Sequence, residues 1–143
     1  GLFDKSKGEK WISERIAANR DVLDSMARRM AQWKDPQLAG ALVRILPALD
    51  TPGALPGLAQ AGSRVVRTLE MGDGMILSQD LALALDFLNA AEATGRADFL
   101  EQCTAIARLS REKVIVDRAR EVARAIAAAP STAAPNSRDA SAP

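Results

Sequence analysis

The chain has 143 residues, with 19 Lys and Arg against 18 Asp and Glu, 48% apolar residues, one cysteine, and neither histidine nor tyrosine. A chain of this size is expected to form one compact domain. Its formal charge of +1 gives no bulk electrostatic drive toward nucleic acid or membrane. The missing histidines remove the commonest general base and the commonest metal ligand. No catalytic, cofactor-binding or metal-binding residue is therefore expected, and no cofactor.

Strong helix formers dominate, with 28 Ala and 14 Arg against 5 Lys, so the expected fold is all-α. It is read as an irregular bundle of five or six helices with a long amphipathic N-terminal helix and a disordered C-terminal tail. The uncharged stretch 51–63 is broken by Pro52, Gly53, Pro56 and Gly57 and falls short of the roughly 20 apolar residues that cross a bilayer. The N-terminal residues lack the apolar core of a signal peptide, and a lone cysteine forms no internal disulfide, so a cytoplasmic location is expected.

Ser6 and Glu9 fit a capping box, and a first helix is predicted over 7–34. Ile12, Ile16, Leu23, Met26, Met30 and Trp33 recur at alternating steps of four and three, with Asn19 in the remaining slot. This is a heptad stripe over three repeats, and it needs a partner surface. A polar residue at such a site fixes register and partner number because only one alignment satisfies its amide. Trp11, Ile12, Ile16, Asn19, Leu23, Met26, Met30 and Trp33 are therefore the candidate partner-binding residues, the tryptophans as anchors.

A helical body is predicted over 36–129. Asp35 caps a second helix with Pro36 at its first position, and Pro47 stops it. A third helix carries Leu55, Leu58, Gly62, Val65 and Leu69 on one stripe. Gly62 there costs roughly 1 kcal/mol relative to alanine, which implies close approach of a neighbour. Residues 71–74, Met-Gly-Asp-Gly, form a turn in which two glycines supply positive φ. Ser78 is expected to cap a fourth helix and Gly95 to end it in the left-handed conformation. A capping arrangement at 98–101 opens a fifth helix. Ser110 either caps a sixth or lies within one continuous helix. Pro130 ends the last, and the Pro, Ala, Ser and Thr composition of 130–143 predicts a disordered tail. A five-residue match between 38–42 and 81–85, spaced by 43 residues, lies in the range of helical repeats, but in so Leu- and Ala-rich a chain it reads as chance.

Charge is segregated. Residues 1–34 hold 8 bases and 5 acids, 35–104 hold 4 and 9, and 105–129 hold 6 and 3, so a net +3, −5 and +3 follow in order. Basic ends around an acidic middle suit docking between specific faces. Arg108, Arg111, Lys113, Arg118, Arg120 and Arg124 form the one basic run. Glu112, Asp117 and Glu121 interrupt it and no aromatic residue is available to stack on a base, so nucleic acid is not the expected partner. Cys103 falls on an apolar helix face and is expected to be a small buried side chain. The chain thus reads as a non-catalytic helical interaction module, an accessory, adaptor or assembly subunit that docks on a protein partner or on itself through the N-terminal helix. The alternative is weak attachment to a membrane surface through that helix, where Leu2, Phe3 and Trp11 lie beside Lys5, Lys7 and Lys10.

Overall fold

A computed structural model of the chain describes Lys10, Glu14, Arg15 and residues 18–129. The described residues form six α-helices and no strand: α1 (Arg20–Arg28), α2 (Pro36–Ile45), α3 (Ala54–Met71), α4 (Ser78–Thr94), α5 (Leu100–Leu109) and α6 (Lys113–Ala128). Short 3-10 turns occupy Met30–Gln32, Leu46–Ala48 and Ala97–Phe99. The capping box at Ser6 and Glu9, the beginning of the 7–34 helix and the 130–143 tail lie outside the described residues. Helix α1 stops at Arg28, well before residue 34. Beyond it the chain turns to bury Met30 and to let the Ala31 amide donate to Gln60 Oε1 at 2.9 Å.

The helices lie in two rows. Helices α1, α3 and α5 form one row, α2, α4 and α6 the other, and each packs on the helix two places further along. The result is an all-α helical bundle, and this pairing gives the 43-residue spacing a physical meaning. Helix α2, carrying 38–42, packs on α4, carrying 81–85. The Cβ position of Gly40 lies 4.0 Å from Leu83 Cδ1, 43 residues on. In the other row Gln102 Nε2 of α5 donates to Ala59 O of α3 at 2.9 Å across the same interval. Two helix pairs are therefore stacked in one register, which is the packing logic of helical repeats.

One continuous apolar core fills the space between the rows. Its largest side chains are Phe87 of α4 and Phe99, edge to face with centroids 6.2 Å apart. Gly62 lies where expected, against a neighbour, since a β-carbon there would stand 2.6 Å from Phe87 Cζ. Asp35 accepts from the Gln37 amide at 2.9 Å with Pro36 in the first turn, α2 ends before Pro47, and Gly95 closes α4 at φ 65°.

Three local readings change. In the 71–74 turn the positive φ values fall on Asp73 and Gly74, not on both glycines, since a short carboxylate side chain tolerates the left-handed region. Ser78 is the first residue of α4 rather than its cap, and its side chain caps nothing. Helices α5 and α6 are separate, because the Ser110 hydroxyl accepts from the Glu112 amide at 3.0 Å and closes a bend between them.

Candidate interaction site

Of the residues expected to bind a partner, Trp11, Ile12 and Ile16 lie outside the described residues. Asn19 is exposed at the start of α1, and its amide is satisfied locally: Nδ2 donates to Arg15 O at 2.9 Å. Leu23, Met26 and Trp33 pack against the core of their own chain, where Met30 is fully buried. Trp33 Nε1 donates to Met26 O at 3.0 Å, and Arg64 of α3 donates to the carbonyls of Trp33 and Lys34. This half of the heptad stripe is thus occupied by α3.

Helix α1 also serves α3 at its beginning. The first amides of a helix have no partner within it, and Gly53, preceding α3, has no side chain to supply one. Asp24 Oδ1 of α1 accepts from the Gly53 amide at 2.6 Å, while its other oxygen takes Arg28 Nε at 2.7 Å. The Thr51 hydroxyl beside it, Arg28 and the Gly53 amide together hold the Asp24 carboxyl at about 2.

The other perturbed groups are also tied to packing. Burial raises the pKa of Asp86, against the opposing pull of Arg44, whose Nη1 stands 2.9 Å from Asp86 Oδ2. That carboxylate lies over Gly40, where a β-carbon would meet it at 2.7 Å. Burial pushes the Cys103 thiol up to about 11, as befits the small core side chain expected. Among the described residues no three metal-ligating side chains cluster, and no helix is long and apolar enough to cross a membrane.

Two features remain on the surface. The first is the connection between α3 and α4, where Met71, Met75 and Leu77 are 81%, 53% and 74% exposed. The backbone carrying them is fastened: Gly74 N donates to Leu69 O at 2.8 Å and Arg111 N donates to Gly74 O at 3.0 Å. Arg111 also pairs with Asp73 at 3.4 Å. No periodicity marked this loop, although three large apolar residues around a Gly-Asp-Gly turn were the available signal.

The second is the basic run. Arg111, Lys113 and Arg118 are taken by Asp73, Asp117 and Glu92. Arg118, 24% exposed, donates to Glu92 Oε1 at 2.6 Å, Asn89 Oδ1 at 2.9 Å and Glu121 Oε1 at 2.7 Å, so basic α6 lies against acidic α4. Arg108, Arg120 and Arg124, by contrast, line one groove between α5 and α6 with Thr104, Ala107 and Ala123, and pair with no acid among the described residues. The acids that interrupt the run in sequence are absent from that lining. Compared with known protein families, curated proteins and solved structures, the chain matches none.

Proposed function

We propose that the chain is a non-catalytic helical interaction module, acting in the cytoplasm as an accessory, adaptor or assembly subunit of a larger complex. The observation that carries this reading is the fastened loop at 71–77, which holds Met71, Met75 and Leu77 in water. Large apolar side chains displayed together on an ordered backbone mark a surface that another molecule covers. Methionine suits such a surface because its unbranched thioether adapts to the partner. Trp11, Ile12 and Ile16 belong to the same proposal as further partner-facing residues.

The test is purification of the full chain from its native cells, beside a Met71→Asp, Leu77→Asp variant whose fold is checked by circular dichroism. A stoichiometric protein partner retained by the unaltered chain and lost by the variant is expected. Equal recovery with both, a monomer with no partner, or retention on phosphatidylserine vesicles that depends on Met71 and Leu77 would overturn the reading.

A further inference from the structure

We propose that the open end of the two-row stack, where Arg108 of α5 faces Arg120 and Arg124 of α6, is the seat for a partner helix bearing paired carboxylates. The inference rests on the reading of the chain as an interaction module and names the partner's chemistry at a second surface.

The position of the groove follows from helical geometry. Gln102 turns the near side of α5 toward Ala59 and Ser63 of α3. At about 100° per residue, Thr104, Ala107 and Arg108 fall on the far side. Arg118 likewise turns α6 toward Asn89 and Glu92 of α4, which places Arg120, Ala123 and Arg124 on the side away from it. Both helices therefore contribute to one groove on that side. Every earlier helix in its row is followed there by another; α5 is the last described helix of its row. The groove is the side on which the next helix would continue the stack.

Its chemistry selects the occupant. Ala107 and Ala123 give a low apolar floor, and a polar end face of a stack needs only solvation. Among the described residues three arginines line this groove without an acid in the same lining, although Arg124 also borders Asp117 and Glu121 on the adjoining face of α6. Arg120 and Arg124 are one helical turn apart, the spacing of carboxylates at i and i+4 on a facing helix, and guanidinium groups bind carboxylates in a planar, two-pronged fashion. Among the described residues no aromatic side chain lines the groove to stack on a base, and three cations are few beside the row of phosphate contacts that nucleic acid offers. A second copy of the chain is a poor occupant, since among the described residues its one pair of helical carboxylates at i and i+4, Asp117 and Glu121 of α6, is already engaged by Lys113 and Arg118. The 130–143 segment carries a single acid, Asp139.

The experiment titrates the ¹⁵N-labelled full chain with a synthetic alanine-based helical peptide carrying glutamates at i, i+4 and i+7, and with its glutamine counterpart. Amide shifts confined to Thr104, Ala107, Ala123 and their neighbours are expected for the glutamate peptide alone. Arg120→Glu with Arg124→Glu weakens binding about ten-fold or more, whereas Arg67→Glu, an exposed arginine of α3 outside the groove, leaves it unchanged. The three groove arginines pair with no acid among the described residues, so the reversal is expected to preserve the melting temperature. Equal binding of the glutamine peptide, equal weakening by Arg67→Glu, or tighter binding of single-stranded oligonucleotide or phosphatidylserine vesicles through the same arginines would overturn the proposal. A native partner complex that survives reversal of Arg120 and Arg124 removes this seat alone. Peptide binding here without any effect of Met71→Asp, Leu77→Asp on a native complex removes the loop reading instead.

Discussion

Gly57 of α3 lies directly against Ala27 of α1: a β-carbon on the glycine would stand 2.7 Å from the Ala27 carbonyl oxygen and 3.0 Å from its Cβ. The obstacle is backbone, which has no rotamer to move away. Alanine at 57 gains up to about 1 kcal/mol of helix propensity, but forcing two helices apart costs typically 1–3 kcal/mol. Gly57→Ala is therefore expected to lower stability by about 1 kcal/mol, read as a reduced urea midpoint at unchanged slope. Unchanged or increased stability would remove this contact as the reason for the glycine.

Asp24 gives a dependence on pH with a definite sign. Its folded carboxyl sits at about 2, below the ordinary 3.8. The stability it contributes is fully present above the unfolded value and is lost as pH falls toward about 2. Urea unfolding followed from pH 5 to pH 2 should show this loss, and Asp24→Asn should flatten it. An identical acid dependence in the variant would mean that other carboxylates carry the effect.

Arg118 joins α6 to α4. Arg118→Ala leaves Glu92 and Asn89 without their donor and is expected to cost about 1–2 kcal/mol, since hydrogen bonds to charged groups are among the stronger ones. Lys113→Ala breaks an exposed pair with Asp117 and should cost less than about 0.5 kcal/mol. Equal melting temperatures for the two variants would contradict the difference.

Cys103 is fully buried and its thiol is raised to about 11. At pH 8 a thiol-specific reagent should label the folded chain at least about a hundred-fold more slowly than the chain in urea, because reaction needs a thiolate in contact with solvent. Rapid labelling of the native protein would place Cys103 at the surface.

Much of the local structure was legible in the residues. Asp35-Pro36 starts α2, Pro47 ends it and Gly95 closes α4 through backbone preferences that act within a few residues. The spacing of Leu58, Gly62, Val65 and Leu69 marks the buried face of α3 because a helix repeats every 3.6 residues. Asp73 in a left-handed turn was less legible, since composition offers two glycines beside it and only the geometry of the link to Arg111 decides between them.

The sequence by itself determined an all-helical chain, the faces those helices bury and the absence of histidine chemistry, because propensity and periodicity are local quantities. Only the tertiary structure decided what meets those faces. The stripe of Leu23, Met26, Met30 and Trp33 looks the same in sequence whether α3 or another protein covers it, and here α3 does. The run from Arg108 to Arg124 reads as interrupted by acids along the chain. In space Asp117 and Glu121 engage Lys113 and Arg118, Asp73 engages Arg111, and Arg108, Arg120 and Arg124 line one groove. Charge order along a chain is one-dimensional, whereas pairing depends on distances between helices that only packing sets.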